Sequence, residues 1–295
     1  MEYEQEINTK KPGRRGGRII LIILLALVLL IAILLYDSNA RPVASEYKLA
    51  YPNLPGAFDG FRITVLSDIH AARFGEGNAR LISTVGASKP DIIAITGDSI
   101  DGYKKPTIEE QLAIAGDLAA ELMKIAPVYY ITGNHDWNSG SVRKLITELE
   151  ERGVCVLRNK YTLLEAGADS IILAGTDDPN GPADMIKPRD FVEKVRGSEG
   201  DRFTIMLEHR NNNLRLYSEL GVDLVICGHA HGGVIRLPFT DGLIGPQRDW
   251  FPTYTSGVYS TGGTNMVVSR GIGNHTGWPR FLNNPEVVVV ELRTT

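Results

Sequence analysis

The chain has 295 residues, with 31 basic against 35 acidic side chains and a formal charge of −4. That length suits one sizeable domain or two small ones, and an apolar content of 43% is enough for a full hydrophobic core. With no basic excess to neutralise phosphates, a nucleic-acid scaffold is excluded and no nucleic-acid partner is expected.

The first predicted element is a membrane anchor. The run IILIILLALVLLIAILLY, residues 19–36, carries no polar side chain except its last tyrosine. At ~1.5 Å per residue it just spans a bilayer core. Lys10, Lys11, Arg14, Arg15 and Arg18 crowd its amino-terminal side, and Asp37-Ser38-Asn39-Ala40 follow it. The positive-inside rule then keeps residues 1–18 in the cytoplasm and exports the remainder across the cell membrane. Ser38-Asn39-Ala40 has the small-x-small pattern of a signal-peptidase site. The apolar run, however, exceeds the ~7–15 residues of a signal-peptide core, so an uncleaved single-pass signal-anchor is expected. Arg14-Arg15 lacks the flanking residues that make a twin-arginine signal specific.

A linker is expected over 37–45 and one domain over 46–295. Within 41–60 the sequence reads as a short connection and an edge strand closed by proline and glycine. A rhythm of apolar strands with polar endings follows. FRITVLSD ends at Asp68, DIIAITGD at Asp98, and PVYYITGNHD at Asn134-His135-Asp136. SIILAGTDDP ends at Asp177-Asp178, FTIMLEH at His209, and VDLVICGHAH at His229 and His231. NMVVSRG and EVVVVEL complete the set without such endings. Between them, TIEEQLAIAGDLAAELMKI and SVRKLITELEERG show helical spacing, the second opened by Ser141 and closed by Gly153. Nearly all-apolar strands alternating with helices predict an α/β fold with covered sheets, whose ligands bind at the carboxyl ends of the strands.

Taken singly, each polar ending has an ordinary explanation as a turn or helix cap. Together they do not. The sequence has six histidines, and five of them (His70, His135, His209, His229 and His231) fall at predicted strand ends; only His275 stands apart. Alternating residues of an extended segment share a face, so His229 and His231 are expected to converge on one place. A shared metal site accounts for the whole set. Its carboxylate, imidazole and amide ligands, without thiolate, suit Mn, Fe or Zn. Asp68, His70, Asp98, Asn134, His209, His229 and His231 are seven candidate ligands, too many for one ion with open positions. Two divalent ions sharing a carboxylate use them all, and such pairs serve in-line displacement at phosphorus. Cys155 and Cys227 fit neither a C-x-x-C nor a zinc-ribbon spacing and are read as small buried residues.

The ordered blocks D-x-H, G-D, G-N-H-D, H and G-H-x-H resemble the calcineurin-like metallophosphoesterases over roughly residues 45–295. GFRITVLSDIH, GTDDP, GHAHGGVIRLP and the tail from Tyr254 are most similar to the membrane-anchored or exported bacterial YkuE/YaeI-like branch. The resemblance implies a four-layer αββα sandwich. It also implies that Asp68, His70 and His231 hold one metal, Asn134, His209 and His229 the other, and that Asp98 bridges them. His135 would face the leaving-group oxygen, oriented by Asp136. The implied activity is hydrolysis of a phosphate mono- or diester or a pyrophosphate. The substrate is phosphorylated, either a small molecule or a lipid, such as a UDP-diacylglucosamine-type pyrophosphate. Two other readings are a non-catalytic anchored binding module, which would have lost ligands, and an extracytoplasmic nuclease, which would want a basic groove. The chain departs from the family pattern after His209, where Arg210 and Asn211 replace a proline-containing segment, and at Val234, where glutamine is usual. Arg210 is read as a surface arginine and Asp177-Asp178 as a turn or a substrate-loop element. Oligomeric state is not legible.

Overall fold

The computed structural model describes residues 14–102, 106–182, 185–245, 248–274 and 277–295. Lys10, Lys11 and His275 lie outside them. The order of elements is α1 (Arg14–Ala40), β1 (Val43–Tyr51), β2 (Arg62–Leu66), α2 (Ala79–Ala87), β3 (Ile92–Ile95), α3 (Ile108–Met123) and β4 (Val128–Tyr130). Next come α4 (Asn134–Asn138), α5 (Val142–Glu150), β5 (Cys155–Val156), β6 (Lys160–Ala166), β7 (Asp169–Gly175) and α6 (Pro188–Glu199). The chain ends with β8 (Thr204–Leu207), α7 (Leu214–Glu219), β9 (Leu224–Cys227), β10 (Gly257–Thr261), β11 (Thr264–Val268) and β12 (Glu286–Thr294).

Helix α1 is longer than the apolar run alone predicts. Its stretch Gly16–Ala40 is 25 residues, and its apolar window is wholly unburied by the rest of the protein. At ~1.5 Å per residue it is long enough to cross a ~30 Å hydrocarbon core. The helix continues through 37–40 and β1 opens at Val43, leaving only Arg41 and Pro42 between them. Pro42 explains the stop, because it lacks an N–H donor and disfavours helical geometry in the residue before it.

Two six-stranded sheets follow, ordered β1-β12-β2-β3-β4-β5 and β10-β11-β9-β8-β7-β6. Period-two alternation splits each central strand between two cores. Ile63, Val65, Ile92, Ala94, Val288 and Val290 of the first sheet meet Ile171, Leu173, Ile205, Leu207, Leu224 and Ile226 of the second. The opposite faces are covered by helices. Leu66, Ile93, Ile95 and Val287 pack with Leu81 and Val85 of α2, Leu118 and Leu122 of α3, and Leu145 and Leu149 of α5. Ile172, Met206, Val225 and Met266 pack with Phe191 and Val195 of α6 and Tyr217 of α7. The layers are therefore helix, sheet, sheet, helix.

The helices form for local reasons that agree with this packing. In α5 the buried residues Val142, Leu145, Ile146 and Leu149 follow the i, i+3, i+4, i+7 stripe. Each such burial is worth about 1.5–3 kcal/mol, more than the propensity of a nine-residue helix can supply. Helix α3 begins at a capping box between Thr107 and Glu110. Strands β5, β6 and β10 are short or half-buried edge strands, which the apolar-run criterion passes over. Cys155 is exposed and Cys227 buried, and both are free thiols. The expectation that both are buried fails at Cys155, which lies in the two-residue edge strand β5.

Candidate metal centre

Strands β2, β3 and β4 are parallel neighbours in one sheet, and β8 and β9 are parallel neighbours in the other. The segments that follow their carboxyl ends carry every candidate ligand. Backbone hydrogen bonds tie these loops together: Asp68 N–H donates to the Gly97 carbonyl at 3.0 Å, and His70 N–H to the Asp98 carbonyl at 2.9 Å. The loops turn sharply. Asp68, His70, Asp98, His229 and His231 all have left-handed backbone, with φ of 52°, 48°, 54°, 65° and 49°. Non-glycine residues adopt that conformation rarely, and such strain collects at functional sites where the surroundings over-determine it.

The segment 228–231 is consequently not extended, contrary to the sequence expectation. His229 and His231 do not share a face but aim at two different groups. His229 Nδ1 lies 3.2 Å from His209 Nε2. His231 Nε2 lies 3.3 Å from Asp68 Oδ1 and 3.4 Å from His70 Nε2. Gly228 allows this close entry: a Cβ there would fall 1.8 Å from Ser67 Oγ and 2.5 Å from Asp68 Oδ2.

The candidate ligand atoms fall in two groups, Asp68 with His70 and His231, and Asp98 with His209 and His229, while a third group joins His70 to Asp101 and His135. Asn134 joins the second through Oδ1, 3.0 Å from His209 Nε2. Asp98 stands between them, its Oδ2 3.1 Å from His209 Nε2 and 3.9 Å from His70 Nε2. The donor set fits divalent cations. His209 Nδ1 donates to the Thr96 carbonyl at 2.8 Å, so Nε2 is the ring nitrogen turned to the cluster. Around that single nitrogen stand Asn134 Oδ1, Asp98 Oδ2 and His229 Nδ1, all within 3.2 Å. One proton there satisfies at most one of these acceptors, whereas a cation with ~2.1 Å bonds holds adjacent ligands about 3 Å apart.

The charges of the cluster act strongly on one another. Burial opposes a charge on His209, but Asp98 outweighs it and pushes the imidazole up to about 10. Burial and that charged neighbour push His229 down to about 3. Burial also opposes ionisation of Asp98, yet His209, His70 and His135 hold it far below the usual carboxylate range.

His135 follows Asn134 on α4, its N–H donating to Asp98 Oδ1 at 2.7 Å and its ring 4.9 Å from that of His70. The expectation that Asp136 orients it is corrected. The carboxylate facing His135 Nδ1 is Asp101, at 3.0 Å. Asp136 turns back into the protein, where it accepts the N–H groups of Asp98, Ser99 and Gly133 at 2.8, 2.9 and 2.8 Å and the Tyr130 hydroxyl at 2.6 Å. Its place in the first turn of a short helix makes these loop amides its nearest donors. Burial and the nearby Asp98 raise it to about 6. Asp101 was missed because it lies three residues past Asp98 in a loop with no strand-end signature.

Arg210 is not an ordinary surface arginine. It is half-buried, makes a two-pronged pair with Asp178 at 2.7 and 3.0 Å, and lines a cavity with His229, Asn211 and Asn212. Asp178 and Asp177 are buried, and Asp177 takes Arg158 Nε at 3.1 Å and the Thr132 hydroxyl at 2.9 Å. Both aspartates anchor arginines, and Asp178 also opens a turn, its Oδ1 accepting the Asn180 N–H and its carbonyl the Gly181 N–H, each at 2.9 Å. Val234, where glutamine was the family expectation, is buried.

Thiolate-free imidazole and carboxylate clusters where two sheets join mark a metal-dependent hydrolase. The chain belongs to the calcineurin-like phosphoesterase family, whose model matches residues 61–233, and it is a phosphoester hydrolase. It is 32% identical over 254 residues to YkuE of Bacillus subtilis (strain 168), an uncharacterized metallophosphoesterase, covering 85% of each chain. It is 30% identical over 238 residues to the phosphodiesterase YaeI of Escherichia coli (strain K12), covering 79% of this chain and 82% of that one. A transmembrane protein with metallophosphoesterase domain from Danio rerio is 25% identical over 285 residues, covering 91% of this chain and 62% of that one.

Proposed function

We propose that this chain cleaves a phosphodiester or pyrophosphate borne by a membrane lipid, using water as nucleophile, at the outer face of the cell membrane. The observation that carries the reading is His209 Nε2 lying within 3.2 Å of Asn134 Oδ1, Asp98 Oδ2 and His229 Nδ1. In it, Asp68, His70 and His231 would hold one divalent ion, Asn134, His209 and His229 a second, and Asp98 would serve both. When bound, such ions polarise phosphoryl oxygens and supply a water acidic enough to attack near neutral pH. Mn, Fe and Zn all suit these ligands.

The protein's own groups do the remaining work. Thr96 fixes the tautomer of His209. His135, held by Asp101, donates its proton to the leaving oxygen as the ester bond breaks. Arg210, fixed by Asp178, binds phosphoryl oxygens entering the cavity it lines with His229. The name of YaeI supports a diester, and α1 supports a substrate held in the membrane. A binding module that had lost its chemistry would have shed ligands, and all seven candidates are present with His135.

The test is hydrolysis of bis-p-nitrophenyl phosphate and of a lipid-linked pyrophosphate by metal-reconstituted full-length protein. Metal-dependent turnover, faster on the lipid, is expected. Equal or faster turnover of the soluble diester overturns the lipid assignment, and no turnover of either overturns the site. A reporter active only outside the cytoplasm, fused after Thr295, should be active; a stable but silent fusion overturns the orientation.

A further inference from the structure

Outside α1, the large apolar side chains that stand exposed among the described residues are Leu237, Phe239, Trp250, Phe251 and Trp278. Their exposures are 44%, 107%, 69%, 71% and 58%, high for aromatic rings in water. All fall in two segments, 237–251 and the approach to Arg280.

Those segments are wired to the end of the membrane helix. Asn39, the penultimate residue of α1, takes both backbone groups of Arg280: its Nδ2 donates to the carbonyl at 2.8 Å, and its Oδ1 accepts the N–H at 3.1 Å. Asn284 Nδ2 donates to the Asp37 carbonyl at 2.9 Å. Trp278 is two residues before Arg280. From there a backbone ladder runs outward: Arg236 N–H to Phe281 at 3.0 Å, Leu243 N–H to Ile235 at 2.9 Å, and Phe251 N–H to Leu243 at 3.0 Å. The aromatic residues are thus fixed to the point where the helix leaves the bilayer. The same loop starts at His231, and Asp249, Pro252 and Thr253 flank Trp250 and Phe251 while lining the cavity beside His229.

We propose that this surface is a second membrane contact. Its aromatic side chains sink into the headgroup layer of the bilayer that α1 spans, where tryptophan is favoured by its apolar body and polar N–H. Arg248 is exposed there, but so are Asp241 and Asp249, so the attraction is apolar rather than electrostatic. Docked in this way, the mouth of the metal centre opens at the depth of lipid phosphates. That consequence rests on the phosphoesterase reading; the membrane contact itself does not.

The experiment uses the full chain in phosphatidylcholine vesicles with brominated acyl chains. Wild-type tryptophan emission should be quenched relative to unbrominated vesicles. The W250F/W278F variant, left with Trp137 alone, should lose that quenching. Wild type quenched no more than the variant overturns the proposal, as does self-association through this surface in its place. In a second arm, the triple replacement Leu237→Ser, Phe239→Ser, Phe251→Ser should hydrolyse bis-p-nitrophenyl phosphate normally. It should cleave vesicle-borne phosphatidyl-p-nitrophenol at least ~10-fold more slowly, the loss of roughly one buried apolar side chain. Equal loss on both substrates marks a misfolded variant, and the quenching then decides. If wild type cleaves neither substrate while quenching persists, the phosphoesterase reading fails and the membrane contact stands.

Discussion

His135 Nδ1 lies 3.0 Å from the Asp101 carboxylate, which fixes the orientation of the ring beside the ligand groups. Burial disfavours the imidazolium, but the bond to Asp101 and the charge on Asp98 raise its pKa above the ordinary value. Replacing Asp101 by Asn should therefore lower that pKa and move the alkaline limb of the pH–rate profile to lower pH. His135→Ala should cost about 10²–10⁴ in turnover of an alkyl ester and much less with p-nitrophenolate, which leaves without a proton. Equal losses on both leaving groups would show that His135 is not the acid.

Asp98 touches both ligand groups, so Asp98→Asn should disturb both at once. Elemental analysis should show metal lost from the two-ion level, with turnover down by at least ~10². Chelation of the wild type should abolish activity, and added divalent metal should restore it. A variant that keeps both ions and full activity would remove Asp98 from the centre.

Gly228→Ala should destroy the site without dismantling the sandwich, because its Cβ would collide with Ser67 and Asp68. Gly263 is the control: open space surrounds its Cβ position, so alanine there meets no neighbour and costs only the backbone strain of its positive φ, 89°, about 1–2 kcal/mol, a strain that Gly228 does not share. Thermal unfolding and metal content of the two variants give the comparison.

Arg210→Ala removes two bonds from a buried carboxylate, so it should lower stability by about 1.5–3 kcal/mol and raise KM more than it lowers kcat. Arg210→Ala combined with Asp178→Asn should recover the stability but not the KM. Recovery of both would make the pair structural only.

Much of the fold was legible because apolar strands and amphipathic helices announce themselves by period. Asp68, His70, Asp98, Asn134, His209, His229 and His231 stood out because each follows a strand, and β2, β3, β4, β8 and β9 deliver them to one edge. The edge strands β5, β6 and β10 were not legible, since they carry little of the apolar signal that burial imposes.

What the sequence determined by itself is which residue types reach the sheet edge and that a long apolar helix precedes them. Which carboxylate faces His135 and what Arg210 touches were decided only by the tertiary structure. Those outcomes depend on left-handed turns and on contacts between residues as distant in the chain as Arg210 and Asp178, or Asn39 and Arg280. Periodicity records the direction of a side chain along a regular element; once the backbone turns out of that element, only packing settles where the side chain points.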